Sequence, residues 1–241
     1  MKNNFLKITV ICAVLFSCIQ LNAQQERGKL FISVLGGYSS AGGNFTKTEY
    51  ANNASGYAAK NGFNIQLHSG IYVTKNLAIG VAIGSRFFQP AGLQSLSDGY
   101  LDDFDVDSTT VTTTGGFINL NFMAGPTYTI PLGKLSLDVH LLAGLSTLRT
   151  PQMKVDLEDN TVATFYQNTS TGNGFGLQAG LGARYFFSKK VGVEFRVDYL
   201  TASPSVTIEN QNRVVTAGRI LNTYKEQIGG IGASLGVSLA F

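Results

Sequence analysis

Eight stretches of the chain alternate apolar residues with small or polar ones, and the last stretch ends at Phe241. A repeat of two residues is typical of β-strands whose two faces meet different environments. Strands that cross a bilayer must pair every backbone N–H and C=O group inside the protein, so a spanning sheet has to close on itself. The pattern therefore predicts an all-β fold: a transmembrane antiparallel β-barrel of eight strands with its apolar side chains toward lipid.

Each predicted strand has its apolar residues on one face and its small or polar residues on the other. Ile65 and Leu67, for example, alternate with Gln66 and His68. A slip of one residue would reverse the two faces, so the alternation also restricts the register. The predicted strands cover residues 29–39, 61–73, 77–87, 116–130, 135–145, 175–187, 191–199 and 231–241.

The connections between the predicted strands are alternately short and long. Three short turns contain Thr74–Asn76, Pro131–Lys134 and Ser188–Lys190. The other connections, near residues 40–60, 89–115, 146–173 and 200–226, are much longer. Short periplasmic turns and long extracellular loops are the arrangement of outer-membrane barrels, and we expect that arrangement here.

Pairing across the short turns restricts the register further. Apolar residues face each other in three cross-turn pairs: Val73–Leu77, Ile130–Leu135 and Phe187–Val191. The same register brings large inward residues opposite small ones: His68 opposite Ala82, Gln66 opposite Gly84 and Tyr72 opposite Ala78. We therefore expect a narrow interior that is filled by side chains.

The long loops contain strand patterns of their own. Met153–Leu157 and Thr161–Phe165 predict one hairpin, and Val206–Ile208 and Val214–Thr216 predict another around Asn210–Asn212. We expect these hairpins to protrude beyond the membrane. Exposed strand edges of that kind can pair with an extended segment of another chain.

The N-terminus predicts a secretory signal peptide. Two lysines precede the apolar run Ile8–Leu21, which is too short for a spanning helix, and a small-residue cleavage site ends at Ala23. The expected division is a signal peptide at residues 1–23 and a barrel domain at residues 24–241. An alternative makes Cys18 a lipidation site. Both cysteines of the chain precede Ala23, so the processed protein would contain no thiol.

Composition argues against several classes of protein. The formal net charge of +3 gives no basic field that would gather nucleic acid. Tryptophan is absent, so aromatic belts at the membrane interfaces must consist of Tyr and Phe. The outward aromatic residues divide between the two ends of the strands: Tyr128, Tyr185, Phe187 and Phe241 at the turns, and Phe63, Phe87, Phe175 and Tyr199 at the loops. A secreted lipocalin-like barrel, the soluble alternative, would instead need an apolar interior.

The inward positions include six charged residues that balance at three of each sign: Arg86, Asp138, Arg184, Glu194, Arg196 and Asp198. Unpaired charges in so narrow a space would be costly, so we predict an ion-pair network that fills the interior. The turn at Ser188–Lys190 puts Arg184 opposite Glu194, and this is the pair we expect first. A proton or ion path through the same residues is the alternative.

Catalytic and metal sites are less well supported by the sequence. His68 and His140 both point inward. Ser69 faces the opposite side of the strand from His68, so His68 and Ser69 cannot act as a catalytic dyad. The loop from Asp98 to Asp107 is acidic and is expected to be solvated, with weak calcium binding as the alternative, because it lacks the glycine and the closing Glu of an EF-hand. We expect no catalytic residue, cofactor or resident metal.

Three features of the chain together resemble those of a known family: the processing site, the strands and the C-terminal segment. These features are Asn22–Gln24, the alternating strands and the terminal segment Gly236–Phe241. The chain resembles the small eight-stranded outer-membrane barrels, especially the porin-like outer membrane protein β-barrel family common in Bacteroidetes. The resemblance implies residence in the outer membrane of a Gram-negative cell, contacts with its lipids, and Phe241 as part of the C-terminal signal that the barrel assembly machinery recognises.

The function predicted from these features is that of a monomeric, non-enzymatic outer-membrane barrel. Its interior would be filled, and its external hairpins would bind an extracellular protein partner or support envelope integrity. One alternative is a narrow porin-like channel for ions or small solutes. The other is a lipid-modifying outer-membrane enzyme, which would depend on His68 or His140.

Overall fold

The structure of the protein is a computed structural model, and it describes residues 29–50, 56–158, 163–212 and 220–241. The strands in these residues are β1 (Leu30–Gly42), β2 (Ala58–Tyr72), β3 (Leu77–Pro90), β4 (Thr109–Thr114), β5 (Phe117–Leu132), β6 (Leu135–Arg149), β7 (Gln152–Leu157), β8 (Ala163–Gln167), β9 (Thr171–Phe186), β10 (Val191–Ala202), β11 (Ser205–Asn212), β12 (Ile220–Lys225) and β13 (Ile228–Ala240). A 3₁₀ turn (Gly43–Thr46) follows β1, and helix α1 (Leu93–Phe104) precedes β4. The predicted signal peptide and both cysteines lie outside the described residues.

Eight of the strands form a closed antiparallel barrel, as predicted. They pair in the order β1, β2, β3, β5, β6, β9, β10 and β13, and β13 then pairs with β1 to close the sheet. The closure leaves no free edge in the barrel wall, so the backbone groups of the wall are paired within the protein. Within the described residues, no helix is long and apolar enough to cross a membrane.

The two faces of the barrel wall carry the side chains that the alternation predicts. Outward apolar residues are widely exposed, with Leu181 at 61% and Leu235 at 63%, whereas the polar residues that alternate with them are buried. An exposed apolar surface of this extent is stable only against hydrocarbon. The predicted aromatic residues all lie on this outer face, and Phe63 stacks on Phe87 at the loop end with ring centroids 4.6 Å apart.

The predicted register is confirmed at two turns and corrected at the third. His68 pairs with Ala82, and the register at the last turn is the predicted one. At the middle turn, however, Ile130 pairs with Leu137 rather than with Leu135. The strand continues through Pro131 because Gly133, at φ +68°, closes a tighter turn than expected. A shift of two residues keeps every side chain on its predicted face.

The barrel sheet continues beyond the membrane at the loop end. β9 pairs with β11, which also pairs with β12 and β8; β8 then pairs with β7, and β7 with β4. The predicted hairpin at Met153–Leu157 is confirmed as β7 and β8. The second predicted hairpin is wrong at its tip, because β11 continues through Asn210–Asn212 and pairs with β12. Its expected second strand, residues 214–216, lies outside the described residues.

The acidic loop, expected to be a solvated connection, contains helix α1. Leu93, Leu96, Tyr100 and Phe104 recur at helical spacing, and Leu96 and Tyr100 pack against apolar residues of the loops. Gly99 allows the ring of Tyr50 to approach the helix, because a Cβ at this position would lie only 2.0 Å from the Cγ atom of Tyr50. The Asp and Gly residues that lie between these apolar positions in the sequence have low helix propensity.

Candidate functional site in the barrel interior

Most of the larger polar side chains that point into the barrel lie in three layers along its axis. We call them the turn-end layer (Tyr72, Thr129, Asp138 and Arg184), the middle layer (His68, His140, Glu194 and Arg196) and the loop-end layer (Asn64, Gln66, Arg86, Asn121, Gln178 and Asp198). All six charged residues predicted to point inward are in these layers, and each is at most 6% exposed. At this depth, where the outer surface is apolar, the interior is filled mainly with polar groups, together with the buried apolar side chains of Phe31, Leu35, Met123 and Leu142.

In the turn-end layer, Arg184 and Asp138 form a closed ion pair. The Nε and Nη2 atoms of Arg184 donate to the two carboxylate oxygens of Asp138 at 2.7 and 2.8 Å. The Tyr72 hydroxyl accepts from the same Nη2 atom at 2.7 Å, and the Thr129 hydroxyl donates to Asp138 at 2.5 Å. The guanidinium also stacks on Phe31, 3.8 Å from the ring centroid. Such a bidentate, fully hydrogen-bonded pair is the form in which buried charges are best compensated.

The pair that the sequence favours, Arg184 with Glu194, is not the one that forms. The two residues are cross-strand neighbours as expected, yet Arg184 makes its salt bridge with Asp138 of the strand on the other side. Asp138 lies opposite Gly182, which has no side chain to separate it from Arg184. Backbone register could be predicted across one turn, but the choice between two flanking strands could not.

The loop-end layer contains the second closed ion pair. Arg86 Nη2 donates to Asp198 Oδ1 at 2.7 Å, and the Gln178 amide donates to the same oxygen at 3.0 Å. Arg86 Nη1 also donates to the carbonyl of Gly230 at 3.2 Å. Gly232 lies beside the pair, and a Cβ there would be 3.4 Å from both Arg86 Nη2 and Asp198 Oδ2. Gly232 therefore lies in direct contact range of both charged groups, and a longer side chain at this position would crowd them.

The middle layer brings the two histidines to a single arginine. Arg196 Nη2 lies 3.0 Å from His68 Nε2 and 3.1 Å from His140 Nδ1. An arginine nitrogen can only donate, so both of these ring nitrogens accept and both histidines carry their proton on the other nitrogen. Glu194 lies farther away, with its Oε1 atom 3.6 Å from His68 Nδ1 and 3.9 Å from Arg196 Nε.

Several polar atoms of the middle layer have no protein hydrogen-bond partner. They are both carboxylate oxygens of Glu194, Nε and Nη1 of Arg196, Nδ1 of His68 and Nε2 of His140. Buried polar atoms require partners, and ordered water is the usual one. A cavity of about 20 Å³ in the loop-end layer is large enough for one water molecule, and Gln66 and Asn121, which line it, each have one unpartnered polar atom. The interior thus has room for single water molecules between packed side chains.

Above the loop-end layer, the interior changes from polar to apolar. The residues that meet there form what we call the apolar cap: Ala41, Phe45, Tyr57, Ala58, Phe88, Phe117, Leu148, Met153, Val206, Ile208 and Ile228. Phe45, from the 3₁₀ turn after β1, lies at its centre, with ring centroids 5.6 Å from Phe88 and 5.1 Å from Phe117. Barrel strands and loop strands both contribute to this cluster, so it closes the loop end of the barrel.

At the loop end, burial also raises the pKa values of tyrosines in and beside the cap. Tyr57 is 1% exposed, and its hydroxyl donates to the backbone carbonyl of Glu49 at 2.8 Å. Burial, helped by the nearby Tyr100 and Glu49, raises the pKa of Tyr57 to about 12. Burial also raises the pKa of Tyr100. Phenolate charge is disfavoured here because the low-dielectric surroundings penalise the ionised form.

Comparison with known proteins agrees with this geometry. The family described as "Outer membrane protein beta-barrel domain" matches residues 9–239. The chain belongs to this family. It is therefore an outer-membrane β-barrel protein, and the location predicted from its strands is confirmed at that level. A search of curated protein sequences found no match.

Several solved structures have a fold similar to that of this chain. A major outer membrane protein from Thermus thermophilus is 12% identical over 88% of this chain and 99% of its own, with a TM-score of 0.51. OprG from Pseudomonas aeruginosa is 13% identical over 91% of this chain and 99% of its own, with a TM-score of 0.46. The outer membrane protease OmpT from Escherichia coli is 7% identical over 92% of this chain and 100% of its own, with a TM-score of 0.43. At these identities the likeness concerns the barrel fold alone.

Two other predicted sites lie away from the interior. Phe241 is 58% exposed on the outer surface at the turn end, and its backbone forms both hydrogen bonds with Leu30. Asp98, in the acidic segment, accepts a hydrogen bond from Gln94 within α1. Among the described residues, no group of three His, Cys, Asp or Glu residues could hold a metal ion.

The sequence pattern missed the apolar cap but contained a signal for it. Phe117 and Leu148 have the same strand parity as Asn119 and Ser146, so they must point inward. An inward Phe or Leu departs from the polar-inside rule of a membrane barrel. Such departures at the loop ends of several strands would have indicated a core beyond the membrane.

Proposed function

We propose that this outer-membrane barrel is a closed, non-enzymatic protein whose external hairpins bind a protein partner or support envelope integrity. The observation that carries the proposal is the packing of the interior from one end to the other. Arg184 and Arg196, the largest fully buried side chains, occupy the turn-end and middle layers, and the apolar cap occupies the loop end. An eight-stranded barrel is just wide enough to be filled in this way.

The external sheet offers the surface for a partner. β4 pairs only with β7, and β12 only with β11, among the described residues. Each therefore has a second edge whose backbone groups can pair with an extended segment of another chain. Threonine dominates β4, and its residues Thr110, Thr112 and Thr114 are exposed, so this edge is polar enough to remain in water without a partner.

The arrangement of the histidines supports a structural role for them. His68 and His140 are 0% and 2% exposed, and both accept from Arg196. A histidine that acts as a general base needs a free ring nitrogen facing a substrate. If replacement of either histidine by Gln altered the lipid A of cells that produce the protein, the enzymatic alternative would gain support and this part of the proposal would fail.

Conductance in planar bilayers tests the closed interior. Purified barrel should give no stable single-channel current. A double variant, Phe45→Ala with Phe117→Ala, removes two rings of the cap but leaves the three polar layers, so it should also remain silent. Reproducible current steps from the unaltered protein would reject the filled interior and favour the narrow channel.

Envelope integrity tests the role of the hairpins. We expect a deletion strain to become sensitive to detergent and to be rescued by the unaltered protein. Replacement of residues 152–167, which contain β7 and β8, by a short Gly-Ser linker should abolish the rescue. A band that changes mobility on heating must show that this variant still forms a barrel. Full rescue by the shortened protein would contradict the proposal.

A further inference from the structure

A groove on the outer wall of the barrel lies outside the polar layers of the interior, and it shares only Ala41 and Ile228 with the apolar cap. It lies where β1, β10 and β13 reach the loop end, and its volume is about 490 Å³. Sites for small ligands usually have volumes of about 300–1,000 Å³. Its floor contains Gly42 and Gly229, which are paired across β1 and β13, and Thr201, which pairs with Gly229 on the other side.

The depth of the groove in the membrane follows from the strands beneath it. The outward residues of β10 are apolar from Val191 to Tyr199, and Thr201 is the first polar one. Eight residues of strand span roughly 26 Å, or about 20 Å along the membrane normal at the usual tilt of roughly 40°. Ser40 on β1 and Ile231 on β13 lie in the same row as Tyr199. The groove therefore begins where the apolar band ends, at the head groups of the outer leaflet.

The lining of the groove indicates which head group fits. None of the described residues that line it carries a charge. They provide the hydroxyls of Ser40, Thr201 and Ser203 and the side-chain amide of Gln227. Within the described part of the chain, these four groups have no hydrogen-bond partner. Uncharged hydroxyl and amide groups match the donors and acceptors of another hydroxylated molecule, whereas the groove supplies no cation to balance the charge of a phosphate.

An aromatic ring forms one wall of the groove. Tyr199 is 51% exposed, and its hydroxyl leans over the backbone of Gly229, 3.2 Å from where a Cβ would be. A tyrosine combines an apolar ring face with a polar tip. That combination suits a sugar ring, which has an apolar C–H face and a rim of hydroxyl groups.

We propose that this groove binds the uncharged sugar ring of a glycolipid in the outer leaflet. The acyl chains of the lipid would lie on the apolar wall below, against Ile231 and the residues beneath it, while the sugar contacts Tyr199 and the hydroxyls above. The site requires neither an open interior nor a protein partner, so it is independent of the function proposed above.

Two glycines of β1 provide a matched test. Gly42 lies in the groove and has extended backbone at φ −156° and ψ −174°, and Gly36 lies on the same outer face nearer the turn end. A Cβ at either position would be 3.8 Å from its nearest neighbour, so both sites accept a side chain. Gly42→Leu should therefore fill the groove, whereas Gly36→Leu adds the same side chain elsewhere on the lipid-facing wall.

Native mass spectrometry of the full protein in detergent can measure lipid binding to each variant. The probes are monogalactosyl diacylglycerol, which has an uncharged sugar, and phosphatidylglycerol, which has an anionic phosphate. The unaltered protein and Gly36→Leu should retain one glycolipid, and Gly42→Leu should bind it about tenfold more weakly, a change of about 1.4 kcal/mol. Phosphatidylglycerol should bind all three proteins equally and weakly. Only preparations with a heat-modifiable band are compared, so misfolding does not enter the result.

A second pair of variants tests the aromatic wall. Tyr199→Leu should weaken glycolipid binding, whereas Tyr185→Leu, at the turn end and 46% exposed, should not. Equal glycolipid retention by Gly42→Leu and Gly36→Leu would overturn the assignment of the groove. So would the absence of a bound glycolipid on the unaltered protein. Equal retention of phosphatidylglycerol and glycolipid by the unaltered protein would overturn the assignment of a sugar.

Discussion

The barrel interior and the apolar cap are filled by the same strands, the interior mainly by polar and charged side chains and the cap by apolar ones. On β3 the inward residues change from Arg86 to Phe88, and on β6 they change from Ser146 to Leu148. On both strands the first residue of the cap follows two positions after the last polar inward residue, at the loop end of the strand. Below that level the wall places its apolar face against lipid, and above it the wall is in water and places its apolar face inside.

The two cores should therefore respond to different perturbations. The turn-end and loop-end layers of the interior are held by compensated charges in a low-dielectric space, where one unpartnered charge is costly. The cap is held by apolar burial and ring packing, where the volume removed determines the cost. The contrast teaches that the environment of the outer face, and not the strand itself, determines which side chains can fill the inside.

The largest expected effect comes from removing the cation of the turn-end ion pair. Arg184→Met should destabilise the barrel by about 3–5 kcal/mol because Asp138 would remain buried without its partner. Urea unfolding in detergent, followed by loss of the compact electrophoretic band, measures the change. The matched control is Lys154→Met in β7, whose salt bridge with Asp156 is equally short, 2.6 Å, but 34% exposed on the lysine side. That control should cost less than Arg184→Met, because water reaches the lysine side of the pair, although the Asp156 side chain is only 11% exposed. Equal losses would mean that the interior is as well solvated as the outer hairpins.

The next largest effect is expected in the cap. Phe117→Ala should destabilise the protein by about 3 kcal/mol, because a fully buried ring leaves a cavity beside Phe45. Salt should change this loss little, since no charge is involved. Phe104→Ala, at a ring that is 43% exposed on α1, is the control and should cost less than about 1 kcal/mol. A strong salt dependence of the Phe117→Ala effect would contradict the apolar character of the cap.

Much of the barrel could be predicted from the sequence because a membrane imposes one rule on all eight strands. Alternation with a period of two determines which face each residue occupies, and it identified the inward positions of His68 and Arg184 correctly. Even the register error at Gly133 left the faces unchanged, because the shift was two residues. Local pattern and one global constraint were sufficient for this part.

The ion-pair partners and the cap could not be predicted in the same way. Arg184 had two flanking strands to choose from, and the three-dimensional space left by Gly182 favoured Asp138. Phe45 reaches the cap from a loop whose sequence has no period at all. Helix α1 was missed because Asp and Gly weaken its local signal, and contacts such as those of Tyr100 with Phe165 favour it only in the folded protein.

The smallest effect concerns pH, and it distinguishes the cap from an open, solvated loop. The pKa of Tyr57 is raised to about 12, so the folded state holds its proton more tightly than the unfolded chain, whose tyrosines have a pKa of about 10. The stabilisation is complete below about pH 10 and is lost as the pH rises toward 12. At about pH 11 we expect a loss of about 1 kcal/mol relative to about pH 8, within the limit of about 1.4 kcal/mol per pH unit.

Tyr57→Phe separates this contribution from alkaline unfolding in general. The variant loses the hydrogen bond to the Glu49 carbonyl, so it should be slightly less stable than the unaltered protein at about pH 8. The difference between the two proteins should then shrink or reverse by about pH 11, because only the unaltered protein has a phenol at this position to ionise on unfolding. Urea midpoints at the two pH values measure it. A constant difference across the range would mean that water reaches Tyr57, and that the cap does not exclude solvent as the interior below it does.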